Sequence, residues 1–178
     1  MKAATLVILY ILFAPTLAWS TGLGIRAYTV PKPAADFFLP DMMGEIHQRF
    51  DYRERAYIVS FWATWCSPCI KELPDLQRAA EILGADNIAV VTVNSGESRE
   101  LVQQFIKERS LILPVLLDRD SHMLRQWQVL ALPTSYIVNA RGLVVARVVG
   151  GIDWDELSIL AQVRSLISAN QNDVVPDD

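Results

Sequence analysis

Residues 61–74 read FWATWCSPCIKELP, and how this stretch is interpreted decides the fold. It holds both cysteines of the chain, Cys66 and Cys69, with Ser67 and Pro68 between them. Upstream, Tyr57-Ile58-Val59-Ser60-Phe61 has the β-branched and aromatic make-up of a buried strand. Downstream, Leu73, Leu76, Ala80 and Leu83 recur at three- and four-residue spacing. That spacing predicts a helix from Cys66 to about Leu83, with Gly84 as its stop. Pro74 falls inside it and is expected to kink it, because its ring removes a backbone donor. The two thiols therefore sit where a strand hands over to a helix.

Working outward, Ile88–Val93 reads as a second buried strand and Asn94-Ser95-Gly96 as a turn. Leu101, Val102, Phe105 and Ile106 fall on one helical face, and Leu113–Leu117 is a third apolar run. Asp118–Ser121 reads as a loop ending in a cap, and Met123, Leu124 and Trp127 as a short helix. Ser135–Val138 and Leu143–Val149 flank Asn139–Gly142, which predicts a β-hairpin. Asp153 with Glu156 resembles a capping box ahead of a last helix carrying Leu157, Leu160, Val163 and Ile167. Before all of these, Phe37-Phe38-Leu39, Pro40-Asp41 and Gly44 suggest a short N-terminal β-hairpin. Strands alternating with helices imply parallel crossovers, and the closing hairpin adds an antiparallel edge. The expected class is α/β, one mixed central sheet with helices on both faces.

The chain has 178 residues, 52% hydrophobic and 20% charged, which suits one domain with a sizeable core. Its net charge is −4 and its lysines and arginines are scattered, so no basic track for a nucleic acid is present. The first twenty residues carry Lys2 and then an apolar run from Ala3 to Phe13, with small residues at Ala14, Ala18 and Ser20. This is the pattern of a signal peptide. The uncharged span from Ala3 to Ile25 is also long enough to remain as a membrane anchor, and both outcomes place the rest outside the cytoplasm, in the periplasm or on the extracytoplasmic face. Residues 21–35 bear glycine and proline without periodicity and read as a linker, residues 36–168 as the folded domain, and residues 169–178 as a loose acidic tail.

Two thiols so close can serve as a staple, half of a metal site, or a redox pair. A bridge over so short a loop removes little unfolded-state entropy and makes a poor staple. Structural zinc wants four ligands, there is no second cysteine pair, and His47 and His122 are remote in sequence and expected on the surface. Ile70 follows Cys69, so the haem-attachment pattern is absent. A redox pair fits the position best. At a helix start, unpaired N–H groups and the positive dipole end favour a thiolate on Cys66, and Cys69 one turn further in can displace a mixed disulfide. Two other readings stay open: a copper-handling chaperone using the cysteines with Met42 or Met43, and a non-catalytic binding module.

FWATWCSPCIKELP closely resembles the active-site stretch of the TlpA/ResA-like thiol–disulfide oxidoreductases, which have the thioredoxin fold. A second stretch, ALPTSYIVNARGLVVARVVGG from Ala131 to Gly151, resembles the family segment with a cis-proline, a strand, a turn and the final strand. The likeness spans roughly residues 37–168. It implies Cys66 as attacking thiol, Cys69 as resolving thiol, Trp65 as a flat contact for partners, and Pro133 as the cis-proline beside a pairing edge at Leu132. It further implies Glu72 as a carboxylate that accepts or relays the proton of the resolving thiol. Ser60 stands where cytoplasmic thioredoxins carry a buried aspartate, so Glu72 is expected to take over that relay. Asn139 replaces a usual aspartate, a change expected to matter little. The Gly-Ala-Pro-Glu pattern of the cytochrome c maturation branch is absent, the chain reading Ala131-Leu132-Pro133-Thr134. The resemblance implies a monomeric reductase without cofactor or metal. Its substrates would be disulfide-containing envelope proteins, such as those of cytochrome c maturation or copper-site assembly, with a membrane thiol donor re-reducing it.

Overall fold

The computed structural model describes residues 24–169, so the leader expected over residues 1–20 and the tail beyond residue 169 lie outside it. It opens with strand β1 (Arg26–Pro33) and a small hairpin, β2 (Phe38–Pro40) and β3 (Ile46–Gln48). Strand β4 (Ala56–Trp62) leads into helix α1 (Ser67–Gly84), then β5 (Ile88–Ser95), α2 (Arg99–Arg109) and β6 (Val115–Asp118). The short helix α3 (His122–Gln126), the hairpin β7 (Thr134–Val138) and β8 (Leu143–Val149), and helix α4 (Leu157–Ala169) complete it. Six strands form one sheet in the order β1-β8-β7-β4-β5-β6. The β4, β5 and β6 neighbours are parallel, and the β7, β8 and β1 pairings are antiparallel. The mixed sheet is the one the order of patterns predicts.

Period-two alternation splits the core. Along β4, Ala56, Ile58 and Trp62 face one apolar cluster, and Tyr57, Val59 and Phe61 face the other. The first cluster takes Leu73, Leu76 and Leu83 from α1, Val102 from α2, and Leu160, Val163 and Ile167 from α4. The second takes Phe37, Leu39, Met123 and Trp127, so α3 and the N-terminal segment cover the opposite face. Each fully buried leucine of α1 contributes roughly 1.5–3 kcal/mol through removal from water. Helix α1 runs unbroken through Pro74.

Three expectations need correcting. The segment read as a linker contains β1, paired antiparallel to β8 from Arg26 opposite Arg147 to Pro33 opposite Leu143. Pro31 and Pro33 hide this strand in the sequence, but an edge strand tolerates proline because its outer N–H groups have no partner to lose. Strand β5 continues through Asn94 and Ser95, which pair with Leu117 and Asp118, and the turn begins at Gly96 with φ +79°. No capping box forms at Asp153, because α4 starts at Leu157 and Asp153 instead closes a turn with the Glu156 N–H.

Asn139 matters more than its replacement of an aspartate suggests. It is fully buried, and its Oδ1 accepts hydrogen bonds from the N–H groups of Arg141 (3.1 Å) and Leu143 (3.0 Å), which shape the β7–β8 turn. Asn139→Ala strands both amides and is expected to cost about 1–3 kcal/mol, with Asn139→Asp costing less because it keeps the acceptor. Urea unfolding checks this, and an unchanged midpoint for the alanine variant refutes it.

Candidate active site

Strand β4 ends at Trp62, and the next three residues turn the chain into α1. Cys66 is the N-cap of that helix, in an extended conformation (φ −87°, ψ 96°), and its Sγ accepts the Cys69 N–H at 3.3 Å. Pro68 sits in the first turn, where a missing N–H costs nothing. A disulfide joins Cys66 and Cys69, whose Cα atoms lie 5.2 Å apart. The two sulfurs differ in access: Cys69 is wholly buried on the inner face of α1, and Cys66 lies at the helix mouth, 4% exposed. Trp65 beside it is 70% exposed, a large apolar surface held out of the core.

The Leu132–Pro133 peptide is cis. Thr134, the next residue, pairs with Phe61 near the end of β4, so this peptide lies at the same end of the sheet as the cysteine turn. Pro133 is buried and its carbonyl accepts the Gly150 N–H at 2.9 Å. Leu132 packs against the apolar cluster that contains both cysteines. Among the described residues, no backbone hydrogen bond occupies Leu132.

Glu72 is not a solvated helix charge. It is 4% exposed, on the face of α1 that also carries Cys69, Leu73 and Leu76. Residues three apart on a helix are neighbours, which sets its carboxylate one turn from Cys69. The Ser60 hydroxyl donates to its Oε1 and the Ile152 N–H to its Oε2, each at 3.4 Å. Burial pushes its pKa up from 4.5 to about 7, against the opposing pull of the Ile152 amide, Trp154 and Ser60. A groove of about 400 Å³, lined by Pro68, Lys71, Asp75 and Ile152 among others, connects Glu72 to solvent. The serine that departs from the cytoplasmic pattern thus faces the carboxylate expected to compensate for it.

The copper reading receives little from the methionines. Met43 is 89% exposed, and Met42 packs against the core with its carbonyl bonded to Arg99. His122 is exposed, and His47 lies 3.5 Å from Asp41. Among the described residues, the cluster with metal-holding geometry is Asp41, Glu45 and His47, and neither cysteine belongs to it.

One group near the site escapes sequence reasoning. Glu97, in the loop before α2, is buried and accepts both the N–H and the hydroxyl of Thr64, two residues before Cys66. The available signal was its position just after the carboxyl end of a strand adjacent to β4, where loops converge on sites in α/β sheets.

The model of the AhpC/TSA family matches residues 30–147. The thiol-disulfide oxidoreductase ResA of Bacillus subtilis is 33% identical to the chain, over 71% of each. The protein of the same name from Geobacillus kaustophilus is 29% identical over 88% of this chain and 90% of its own. Among solved structures, the pneumococcal exposed lipoprotein thioredoxin Etrx1 of Streptococcus pneumoniae superposes with a TM-score of 0.66. It has 30% identity, covering 74% of this chain and 99% of that one.

Proposed function

Because this chain belongs to the AhpC/TSA family and is a thiol–disulfide oxidoreductase of the ResA kind, we propose that its cysteine pair runs in the reducing direction. The observation that carries this reading is Glu72 buried one turn from Cys69. A dithiol becomes a strong oxidant when its reduced, thiolate form is stabilised. A carboxylate beside the resolving thiol does the reverse, disfavouring the thiolate there, and Lys71, next to Glu72 in the sequence, is exposed to water. The couple is then a reductant.

In the proposed cycle the Cys66 thiolate, favoured by the α1 N-terminus, attacks one sulfur of a partner disulfide and expels the other as a thiolate that takes a proton. Cys69 loses its proton to Glu72 and attacks Cys66 in the mixed disulfide. The partner leaves as a dithiol and the Cys66–Cys69 bond forms. A carboxyl with a pKa of about 7 can give and take a proton at neutral pH, and the groove returns that proton to solvent. Trp65 supplies the partner-facing surface. Leu132, with its backbone unoccupied, supplies a strand-like edge beside Pro133.

The setting is extracytoplasmic, with exported disulfide-containing proteins as substrates and a membrane thiol donor restoring the dithiol. The leader-like residues 1–20 support it. The test is capture. Cys69→Ala cannot resolve, so it is expected to accumulate mixed disulfides through Cys66 that dithiothreitol releases. The redox equilibrium with glutathione is measured alongside. A potential near the ~−120 mV of a dedicated disulfide donor refutes the reducing direction.

A further inference from the structure

Glu97 is 8% exposed, and its carboxylate serves three donors. Oε2 accepts the Thr64 N–H and the side-chain amide of Asn94, each at 2.7 Å, and Oε1 accepts the Thr64 hydroxyl at 2.5 Å. Asn94 is itself wholly buried, opposite Trp62 in the sheet. The loop bearing Glu97 is fixed on either side: the Gly96 N–H donates to the Asp118 carbonyl (3.0 Å), and Ser98 caps α2. No lysine or arginine pairs with Glu97 among the described ion pairs. A buried carboxylate without a cation is costly unless its lone pairs are filled, and here donors from two separate segments fill them.

We propose that Glu97 is a positioning residue for thiol–disulfide exchange: by gripping Thr64 at backbone and side chain, it fixes the Trp65–Cys66 turn for attack on a partner disulfide. The inference rests on the reading of Cys66 as the attacking thiol. In the oxidised protein the bond to Cys69 also restrains Cys66. After reduction that restraint is gone, and the grip on Thr64, with the Cys66 N–H bonded to the Ala63 carbonyl (3.2 Å), holds the turn. The effect of losing Glu97 therefore belongs to the reduced form, the one that attacks.

Reduced protein is assayed for iodoacetamide alkylation at Cys66 and for insulin reduction. Glu97→Ala is expected to slow both by about tenfold or more, since displacing a reacting group by an ångström can cost that much. Glu97→Gln is expected to stay within about threefold of wild type. Its carbonyl can serve the two N–H donors while its amide donates to the Thr64 hydroxyl, which accepts as readily as it donates. Thr64→Val removes one of the three bonds and slows both reactions by a smaller factor, which covers a Glu97→Ala variant that does not fold. Asp118→Asn is the control for general destabilisation, because among the described residues the Asp118 carboxylate bonds the Met123 and Leu124 amides and not Glu97 or Thr64. Glu97→Ala rates within about twofold of wild type, or equal slowing by Asp118→Asn at matched stability, overturn the proposal. Wild-type protein that alkylates at Cys66 but leaves insulin intact overturns the reductase reading instead, and the alkylation rates still judge Glu97.

Discussion

Cys66→Ala protein is expected to leave insulin disulfides intact, with turbidity rising no faster than in dithiothreitol alone. The loss is complete because the second thiol cannot stand in for the first. Cys69 is wholly buried inside the first turn of α1, whereas Cys66 at the helix mouth keeps 4% exposure. Cys66 alone combines the helix mouth, the dipole end and the exposed Trp65 beside it. Cys69→Ala keeps the attack and loses the release, so the two single variants should differ in kind: one inert, the other covalently loaded. Residual turnover in Cys66→Ala would show that the attacking sulfur has been misassigned. Copper(I) titration of the same variants addresses the metal-handling alternative. Tight binding that needs both sulfurs, together with no insulin reduction by wild type, would favour that alternative.

Glu72→Gln is expected to change both chemistry and stability. A folded-state pKa of about 7 against 4.5 means the fold binds this proton more tightly than the unfolded chain does. Stability from this group is therefore fully present below about pH 4.5, falls as pH rises toward 7, and levels off above. The total is at most about 3 kcal/mol. Glutamine has the same shape and no charge, so the oxidised variant should lose this slope and be the more stable protein at pH 8. Urea titrations of both proteins at pH 4.5, 6 and 8 measure the difference, and parallel pH profiles would refute it. The same substitution removes the proton acceptor for Cys69. It should slow release of the mixed disulfide by about a hundredfold, the usual scale of general acid–base assistance. A more stable but slower enzyme is the combined signature.

The central architecture was legible because its signals are local. Strand β4 is a continuous run of β-branched and aromatic residues, helix α1 carries a three-to-four repeat, and the β7–β8 hairpin is two apolar runs around a turn, all readable without tertiary information. The cysteines and Pro133 were legible for another reason, since their spacing and neighbours carry the family likeness. What escaped depends on contacts between distant segments. Strand β1 bears two prolines and little buried surface, and is held by its pairing to β8. Glu97 lies in an aperiodic loop, and its partner Thr64 is 33 residues away. The burial of Glu72 was recoverable in principle, because counting back four from Leu76 places it on the apolar stripe.

The direction of β1 has a bearing on delivery. Because it runs antiparallel to β8, Arg26 lies opposite Arg147, toward the end of the sheet where Val149, Thr134 and Phe61 meet beside the cysteine turn. Ile25 packs against the cluster that includes both cysteines. The polypeptide thus enters the domain at its reactive pole. If a leader ending near Ser20 stays in a bilayer, residues 21–25 can span at most about 18 Å. The dithiol would then be turned toward the lipid surface and toward an electron source embedded there. Cleavage would free the same pole to meet soluble partners. With a retained leader, the polarity of one edge strand would set which way the thiols look.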